Sequence, residues 1–256
     1  MIGPLLTAAG IVFLYMTGLC VLALVRKNYS IVDAGWGPGF VLAAAALFLR
    51  DPDFSPARLL MTALITLWAA RLSFHILRRN AGKPEDFRYA AMRKRWGKAA
   101  PLKSYIFIFL FQGAVMLLVS SPLTAVFLSP ARPLSILDAA GTAVFLAGFL
   151  FETVADRQLA AHVRDSGNKK TLMIRGLWSL SRHPNHFGEA TLWWGLGLIA
   201  LSSRYGWAGL IGPAVITFFL RFVSGVPLLE KKYAGRPDWE EYKKKTPVFF
   251  PRLPGA

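Results

Sequence analysis

The sequence predicts an all-α membrane protein, a seven-transmembrane helix bundle folded as a single membrane domain over residues 1–256. Hydrophobic residues make up 54% of the chain and charged residues only 17%, whereas soluble domains carry about 25% charged residues. Several apolar runs reach about 18 residues or more, which is long enough to cross the hydrocarbon core of a bilayer. Basic residues are concentrated in alternate loops between these runs, as in membrane-spanning chains.

The seven predicted spans follow one another along the whole chain. Helices are the expected spanning element, because the runs are about twice as long as a barrel strand needs and show no period-two alternation. The first run lacks the charged start of a signal peptide and continues to Val25, so we expect it to be retained as a span. The spans are predicted at residues 3–25, 31–49, 57–77, 104–121, 134–156, 187–202 and 206–229.

The net charge of +16 resides mainly in loops, which argues against a nucleic-acid partner. The first, third and fifth loops and the C-terminal tail hold most of the lysines and arginines. The positive-inside rule therefore predicts the N-terminus outside and the C-terminus in the cytoplasm, and an even number of spans would break the alternation. We expect an integral, multi-pass protein of the plasma membrane, or of the inner membrane in a bacterium. The intervening loops hold only Arg50, Arg58, Arg132 and Arg204.

Ionisable residues lie within the predicted spans, where each is costly unless it is paired or faces a wet cavity. Ion pairing, or snorkelling near a helix end, is the simpler explanation for any one of them. Because the set gathers in the cytoplasmic half, we expect a shared polar cavity open to the cytoplasm. The residues are Asp33, Arg71, Glu152, Asp156, Glu189 and Arg221.

Asp33 lies in the segment SIVDAGWGPGF, at the start of the second span. The nearby glycines and Pro38 predict an irregular backbone, which is tolerated at membrane depth where it lines a cavity. A partly desolvated carboxyl group there could act as a proton donor. The alternative is that Asp33 only caps the helix.

The segment SLSRHPNHFGEATLWW, residues 179–194, brings hydrogen-bonding groups to the start of the sixth span. A helix start favours anions, and basic residues at 164, 169, 170, 175 and 182 precede it, so we expect a cradle for an anionic cofactor. Asn185 and Glu189 share a helical face and could hold a carboxamide or amine. Trp178 could stack on a ring. The basic, aromatic tail either lies on anionic lipid or closes over cofactor phosphates with lysines such as Lys231.

The sequence lacks the motifs of disulfide-linked proteins, of metal sites and of the common nucleotide-binding and hydrolase folds. The chain has a single cysteine, so disulfides within the chain and Cys-based metal sites are excluded. His183 and His186 have no obvious third ligand beside them, and no metal is predicted. No Rossmann fingerprint, Walker loop, G-x-S-x-G or H-E-x-x-H occurs. Any nucleotide cofactor must therefore bind within a fold of membrane helices.

Four separated segments carry a resemblance to a known family: SIVDAGWGPGF, RLSFHILRRNAGKPEDFRYAAMRKRWG, RGLWSLSRHPNHFGEATLWWG and GVPLLEKKYAGRPDWEEYKKKTPVFFP. Together they resemble the DUF1295 branch of the steroid 5-alpha-reductase-like integral membrane reductases. The resemblance implies a lipid-metabolising oxidoreductase that uses NADPH to reduce an activated C=C bond, of the enone type, in a steroid- or lipid-like substrate. We expect the protein to be a monomer. It also implies that residues 1–121 form an apolar substrate cavity and that residues 134–256 bind the cofactor on the cytoplasmic side.

The resemblance extends to individual residues. Asn185, Gly188 and Glu189 match the Asn-x-x-Gly-Glu motif that lies near the nicotinamide in these reductases. The Glu–Tyr pair with which steroid reductases hold the substrate carbonyl has no clear copy, and Asp33 and Tyr89 are the expected substitutes. The predicted catalytic residues are Asp33, Tyr89 and Glu189. The predicted cofactor-binding residues are Arg71, Arg78, Arg79, Glu152, Asp156, Arg164, Trp178, Arg182, His183, Asn185, Gly188, Glu189, Arg221 and Lys231.

Two other functions stay open on the sequence alone. RHPNHFGE followed by a basic, aromatic tail also resembles the isoprenylcysteine carboxyl and phospholipid methyltransferases, which implies S-adenosylmethionine as the cofactor. The VDAGWG and PEDFRY segments favour the reductase branch. A non-catalytic lipid-binding membrane protein is the third reading, and it would not require Asn185 and Glu189 to face a cavity.

Overall fold

The computed structural model describes residues 2–165 and 171–252, and within these ranges all regular structure is helical. The all-α prediction is thereby confirmed for the described residues. Short 3-10 helices lie at Gly97–Ala99 and Gly206–Leu210, and π-helices at Tyr105–Leu110 and Phe219–Val223. The α-helices are α1 (Ile2–Arg26), α2 (Ile31–Arg50), α3 (Pro56–Asn80), α4 (Phe87–Trp96), α5 (Ala100–Ser104), α6 (Phe111–Val119), α7 (Ser121–Leu128), α8 (Ile136–Arg164), α9 (Leu177–Leu180), α10 (Pro184–Leu201), α11 (Ile211–Phe218), α12 (Val226–Tyr233) and α13 (Pro237–Lys245).

Six helical stretches among the described residues are long and apolar enough to cross a membrane. The remaining predicted span is the sixth, at residues 187–202, and it corresponds to α10. This helix has 18 residues but carries Asn185, His186 and Glu189 in its first two turns, and these lower its mean hydropathy. That span stays a prediction. The six stretches are Ile2–Arg26, Ile31–Arg50, Pro56–Asn80, Phe87–Val119, Ile136–Arg164 and Gly206–Tyr233.

The helices leave large apolar side chains exposed. Leu49 is 87% exposed and Ile136 83% exposed, and Phe13, Phe74 and Leu150 are also mostly uncovered. Such a surface is unfavourable in water and is stable when lipid covers it. The fold therefore fits an integral, multi-pass membrane protein associated with a lipid bilayer.

The chain forms two compact units. The first contains α1 to α7 and consists of residues 1–135 and 200–211. The second is built around α8, most of α10 and the C-terminal helices, and consists of residues 136–199 and 212–256. The division of labour predicted from the sequence, with the substrate in the N-terminal helices and the cofactor in the C-terminal ones, stays a prediction.

In the first unit, α2 is regular through the stretch where the glycines and Pro38 predicted an irregular start. Pro38 has no N–H, which removes the usual partner of the carbonyl one turn earlier. The Ser73 hydroxyl replaces it by donating to Ala34 O at 2.9 Å. Tyr15 donates to the Gly35 carbonyl at 2.7 Å. These side chains satisfy the backbone from outside, so the prediction of irregular backbone at this point was wrong.

In the second unit, α8 and α10 approach closely through glycines spaced two turns apart, Gly141 and Gly148 on α8 and Gly188 and Gly195 on α10. A Cβ atom on Gly195 would lie 2.5 Å from Phe145 N and 2.6 Å from Gly141 O. Small residues of this kind let transmembrane helices pack backbone to backbone.

We expect Gly195→Ala to destabilise the second unit by about 1–3 kcal/mol, because a methyl group there meets main-chain atoms that cannot move aside. Thermal unfolding of the protein in detergent measures the effect. Gly18→Ala is the matched control, since a Cβ atom on Gly18 meets nothing within 4 Å. Equal unfolding temperatures for the two variants would contradict the close packing.

Candidate functional site

In the first unit, α2 and α4 bring together a carboxylate and a tyrosine that are 56 residues apart in sequence. The Tyr89 hydroxyl donates to Asp33 Oδ1 at 2.5 Å, and Arg88 Nη2 donates to Asp33 Oδ2 at 3.0 Å. Gln112 Nε2 donates to the Tyr89 hydroxyl oxygen at 3.4 Å. Tyr89 is only 6% exposed, so this hydrogen-bonded group is largely shielded from water.

A short polar segment before α4 fixes the direction of Arg88. Asp86 Oδ1 accepts from both the backbone N–H and Nε of Arg88 at 2.9 Å. Burial raises the pKa of Asp86, but the hydrogen bonds and the charge of Arg88 lower it by a larger amount. The pKa of Asp86 therefore lies below its usual value. Asp86 is therefore ionised at neutral pH and holds Arg88 beside Asp33.

A second ion pair secures the same region to the loop between α1 and α2. Arg93 Nη2 lies 2.6 Å from Glu85 Oε2, and Glu85 Oε1 accepts from the backbone N–H of Tyr29 at 2.7 Å. Arg93 also donates to the carbonyl of Lys27 at 2.9 Å. The PEDFRY segment is thus attached at several points, and the position of Tyr89 relative to Asp33 is well determined.

Three further predicted cofactor-binding residues lie on α3. Arg71 is half-buried, whereas Arg78 and Arg79 are exposed in the last turn of that helix. Arg79 Nε donates to the Asn80 side chain at 3.2 Å. Their proposed contact with a cofactor stays a prediction.

In the second unit, α8 and α10 bring together the predicted acidic residues and the asparagine. Asn185 Nδ2 donates to Asp156 Oδ1 at 3.1 Å. Glu152 lies one turn before Asp156 and is 3% exposed. Glu189 follows Asn185 by one turn on α10 and is half-buried. The group that the sequence predicted around the nicotinamide is therefore assembled in part on two adjacent helices.

Arg182 has a set of partners within the protein. Its Nη2 lies 2.8 Å and its Nε 2.9 Å from Glu230 Oε1, and Nη1 donates to the carbonyls of Lys243 and Thr246 at 3.3 and 3.4 Å. The side chain is 9% exposed. The guanidinium thus holds α12 and the chain after α13 against the RHPN segment, and its predicted role as a phosphate ligand stays a prediction.

His183 adjoins this pair. Its Nε2 lies 3.3 Å from Glu230 Oε1, and its ring stacks on that of His186 with centroids 5.7 Å apart. Burial, followed by the positive charges of Arg182 and Arg221, lowers the pKa of His183 to about 3. The imidazole is therefore neutral at physiological pH.

Trp178 and Gly188 serve the packing of the second unit. Trp178 is buried, and its Nε1 donates to the carbonyl of Ala155 at 3.0 Å. A Cβ atom on Gly188 would lie 2.5 Å from Glu152 N, so Gly188 permits the close approach of α10 to α8. Contact of either residue with a cofactor stays a prediction.

The remaining predicted cations differ in exposure. Arg164, at the end of α8, and Lys231, on α12, are exposed. Arg221 lies in the π-helix Phe219–Val223, with its guanidinium 4.8 Å from the centre of the Phe222 ring. Single π turns are frequent at functional sites. The basic residues 169 and 170 lie outside the described residues.

Sequence reasoning missed three residues that complete these groups, Arg88, Gln112 and Glu230. Arg88 and Glu230 lie in charged segments whose composition is typical of solvated loops, so nothing in the local pattern indicated buried partners. Gln112 is a lone amide in an apolar run, and a polar side chain within a span was an available signal. Among residues 2–165 and 171–252, no group of three or more His, Cys, Asp or Glu residues could hold a metal ion.

The helices and their exposed apolar surface define the class of protein as an integral, multi-pass membrane protein. The family described as Protein of unknown function (DUF1295) matches residues 19–246, and the chain belongs to this family. Membership of DUF1295, predicted from the four segments, is thereby confirmed, whereas the link to the steroid 5-alpha-reductase-like reductases stays a prediction. The chain is similar to the Uncharacterized protein C594.04c of Schizosaccharomyces pombe, with 30% identity over 266 aligned residues, covering 90% of this chain and 74% of the relative. No solved structure matches.

We expect Arg182→Met to destabilise the second unit by about 3 kcal/mol, because it removes the positive partner of the Glu230 carboxylate and the donor to two carbonyls. Residues 237–252 should also become sensitive to protease in detergent. The control is Arg236→Met, which removes the exposed ion pair with Asp238 (2.6 Å) and should leave the unfolding temperature unchanged. Unaltered protease resistance in Arg182→Met would show that this residue does not hold the tail.

Proposed function

We propose that this protein is a membrane reductase that uses NADPH to reduce an activated C=C bond, conjugated to a carbonyl, in a hydrophobic steroid- or lipid-like substrate. The observation that carries the proposal is the hydrogen bond of 2.5 Å between Tyr89 and Asp33. Reduction of an enone places negative charge on the carbonyl oxygen. A buried tyrosine hydroxyl that a carboxylate holds in position is suited to stabilise and protonate that oxygen. Methyl transfer has no such requirement.

The first unit supplies the acid–base part of the proposed reaction. Tyr89 transfers its proton to the developing oxyanion, and solvent returns a proton to Tyr89. Asp33, paired as a carboxylate with Arg88, accepts the hydrogen bond of Tyr89 and orients its hydroxyl group. Arg88 and Gln112 hold the pair in position. The overall balance is one hydride to the β-carbon and one proton, which reaches the α-carbon when the enol returns to the ketone.

The second unit fits the cofactor in two respects. His183 Nδ1 and Asn185 Oδ1 are buried polar atoms without a hydrogen-bond partner among the described residues, so a bound polar group would complete them. Exposed cations, Arg164 and Lys231, are available to phosphates. NADPH, when bound, supplies the hydride equivalent. Glu189, half-buried and one turn from Asn185, is assigned to the same group.

The proposal includes the finer topology. Seven spans, with α10 as the sixth, account for the alternation of basic loops. In that arrangement the N-terminus is outside, the C-terminus is cytoplasmic and the cofactor binds from the cytoplasm to a monomer. Residues 1–121 receive the substrate, and residues 134–256 receive the cofactor.

The second candidate is an S-adenosylmethionine-dependent methyltransferase of the isoprenylcysteine or phospholipid type. The observation that favours it is the same pair of buried acceptor atoms at the start of α10, which would also suit an ammonium group. Asp33 and Tyr89 would then have only a structural role.

Ligand-dependent thermal unfolding of the purified protein in detergent separates the two candidates. We expect NADPH at about 100 times its Kd to stabilise the fold by about 2.7 kcal/mol, and S-adenosylmethionine to have no effect. NADH tests the contribution of the 2′-phosphate. Stabilisation by S-adenosylmethionine alone would refute the reductase, and stabilisation by none of the three would favour a non-catalytic lipid-binding protein.

We expect Tyr89→Phe to reduce turnover about 100-fold, the scale seen when one donor to an oxyanion is removed, while NADPH still stabilises the protein. NADPH oxidation with a panel of apolar enones measures turnover. Tyr105→Phe is the matched control, because Tyr105 shares a hydrogen bond of 3.1 Å with the Thr17 hydroxyl and not with a carboxylate. Equal turnover for the two variants would exclude Tyr89 from the chemistry.

A further inference from the structure

The start of the stretch Phe87–Val119 is strongly basic. Residues 87–103, which form α4, a 3-10 turn and most of α5, contain six basic residues and no acidic residue. The whole stretch has 33 residues and is long and apolar enough to cross a membrane. A crossing needs only about 20 residues, so the basic first part of the stretch is left at the surface of the bilayer.

The structure divides these cations into two sets. Two of them are paired with carboxylates of the first unit. Arg88 Nη2 lies 3.0 Å from Asp33 Oδ2, and Arg93 Nη2 lies 2.6 Å from Glu85 Oε2. The other four are exposed and form no ion pair within residues 2–165 and 171–252, and they are Lys94, Arg95, Lys98 and Lys103. The charge of the first set is thus neutralised inside the protein, whereas the charge of the second set faces outward.

Large apolar side chains accompany the outward-facing cations. Phe87 is 68% exposed and Leu102 is 64% exposed. Phe87 and Lys94 are seven residues apart on α4, which places them on one helical face. Gly97, with φ 52°, ends the helix one residue after Trp96. A helix that exposes a ring together with basic side chains is typical of the membrane interface, where the ring meets acyl chains and the cations meet headgroups.

We propose that one surface of the first unit binds the anionic phospholipid headgroups of the surrounding membrane. This surface, the α4 outer face, consists of Phe87, Lys94, Arg95 and Lys98. Because its cations have no carboxylate partner, they gain charge-assisted hydrogen bonds to phosphate groups without breaking an ion pair. A nucleic acid would also supply phosphates. The α4 outer face, however, continues directly into a membrane-crossing stretch, and lipid covers its exposed apolar side chains as well as its charges.

The C-terminal helix α13 has a different charge pattern, although the sequence suggested anionic lipid as a partner for the tail. Residues 236–245 contain four basic and three acidic residues. Each acidic residue is paired with a basic neighbour, and the pairs are Arg236–Asp238 at 2.6 Å, Lys243–Glu240 at 3.1 Å and Lys245–Glu241 at 2.6 Å. Because most of its charge is neutralised within the segment, α13 provides the matched comparison for the α4 outer face.

Hydrogen–deuterium exchange of the full-length protein in lipid nanodiscs tests the proposed surface. One preparation contains phosphatidylcholine alone, and the other contains phosphatidylglycerol in addition. With phosphatidylglycerol, we expect the backbone amides of Phe87–Trp96 to exchange at least about tenfold more slowly, since each basic residue near an anionic surface contributes about fivefold to binding. High salt should remove this difference in the wild type. The amides of Pro237–Lys245 should exchange equally in the two preparations.

A variant of the α4 outer face locates the effect. We expect α4 to exchange equally in both preparations when the variant combines Lys94→Gln, Arg95→Gln and Lys98→Gln. Its unfolding temperature in detergent should equal that of the wild type, because these exposed side chains form no ion pair among the described residues. An unchanged response to phosphatidylglycerol in this variant would overturn the proposal.

The control removes the same number of charges from α13, through Lys243→Gln, Lys244→Gln and Lys245→Gln, and should keep the response of α4. Equal exchange of wild-type α4 in the two preparations, a difference that high salt leaves intact, or a response confined to α13 would each contradict the lipid contact. Single-stranded RNA added to the phosphatidylcholine preparation is the final arm. Slower exchange of α4 with RNA, and none with phosphatidylglycerol, would assign the surface to a nucleic acid instead.

Discussion

A hydrocarbon environment offers no hydrogen bonds, and this constraint governs the polar features of the fold. Each polar group that the sequence places within the helices must find a partner in the protein or in a ligand. The Ser73 hydroxyl takes the place of the N–H that Pro38 lacks. Arg88 and Tyr89 donate hydrogen bonds to Asp33, and Gln112 donates to Tyr89. A few buried atoms among the described residues lack a hydrogen-bond partner, and they include His183 Nδ1, Asn185 Oδ1 and His186 Nδ1 near the start of α10.

The sequence predicted the helical class, the positions of most spans and the family, because each depends on composition or on contiguous motifs. The boundaries of the individual helices were less well predicted. The helix that ends at Arg164 extends eight residues beyond the predicted end at 156, since a helix can leave the membrane without breaking. Around Asp33 the local pattern of glycine and proline indicated irregular backbone, but distant side chains on α1 and α3 stabilise a regular helix.

The candidate site was predictable only where its residues lie within one motif or on one helix. Asn185 and Glu189, or Glu152 and Asp156, follow from helical spacing. The pairing of Arg182 with Glu230, 48 residues later, does not, because a glutamate between leucines and lysines has the composition of a solvated helix. The spacing of residues along the sequence also cannot show which side-chain atoms already have hydrogen-bond partners within the protein. The sequence predicted that Arg182 is a cation available to a cofactor, whereas its guanidinium is held by a carboxylate and two carbonyls.

The contacts of Arg182 have a consequence for biosynthesis. Its acceptors include carbonyls up to 64 residues further along the chain, and the neighbouring backbone is bonded to Pro247 and, through Leu180, to Arg252. While the ribosome is still adding those residues, the RHPN segment carries a guanidinium without its native partners. The second unit can therefore be completed only after these C-terminal residues have been translated.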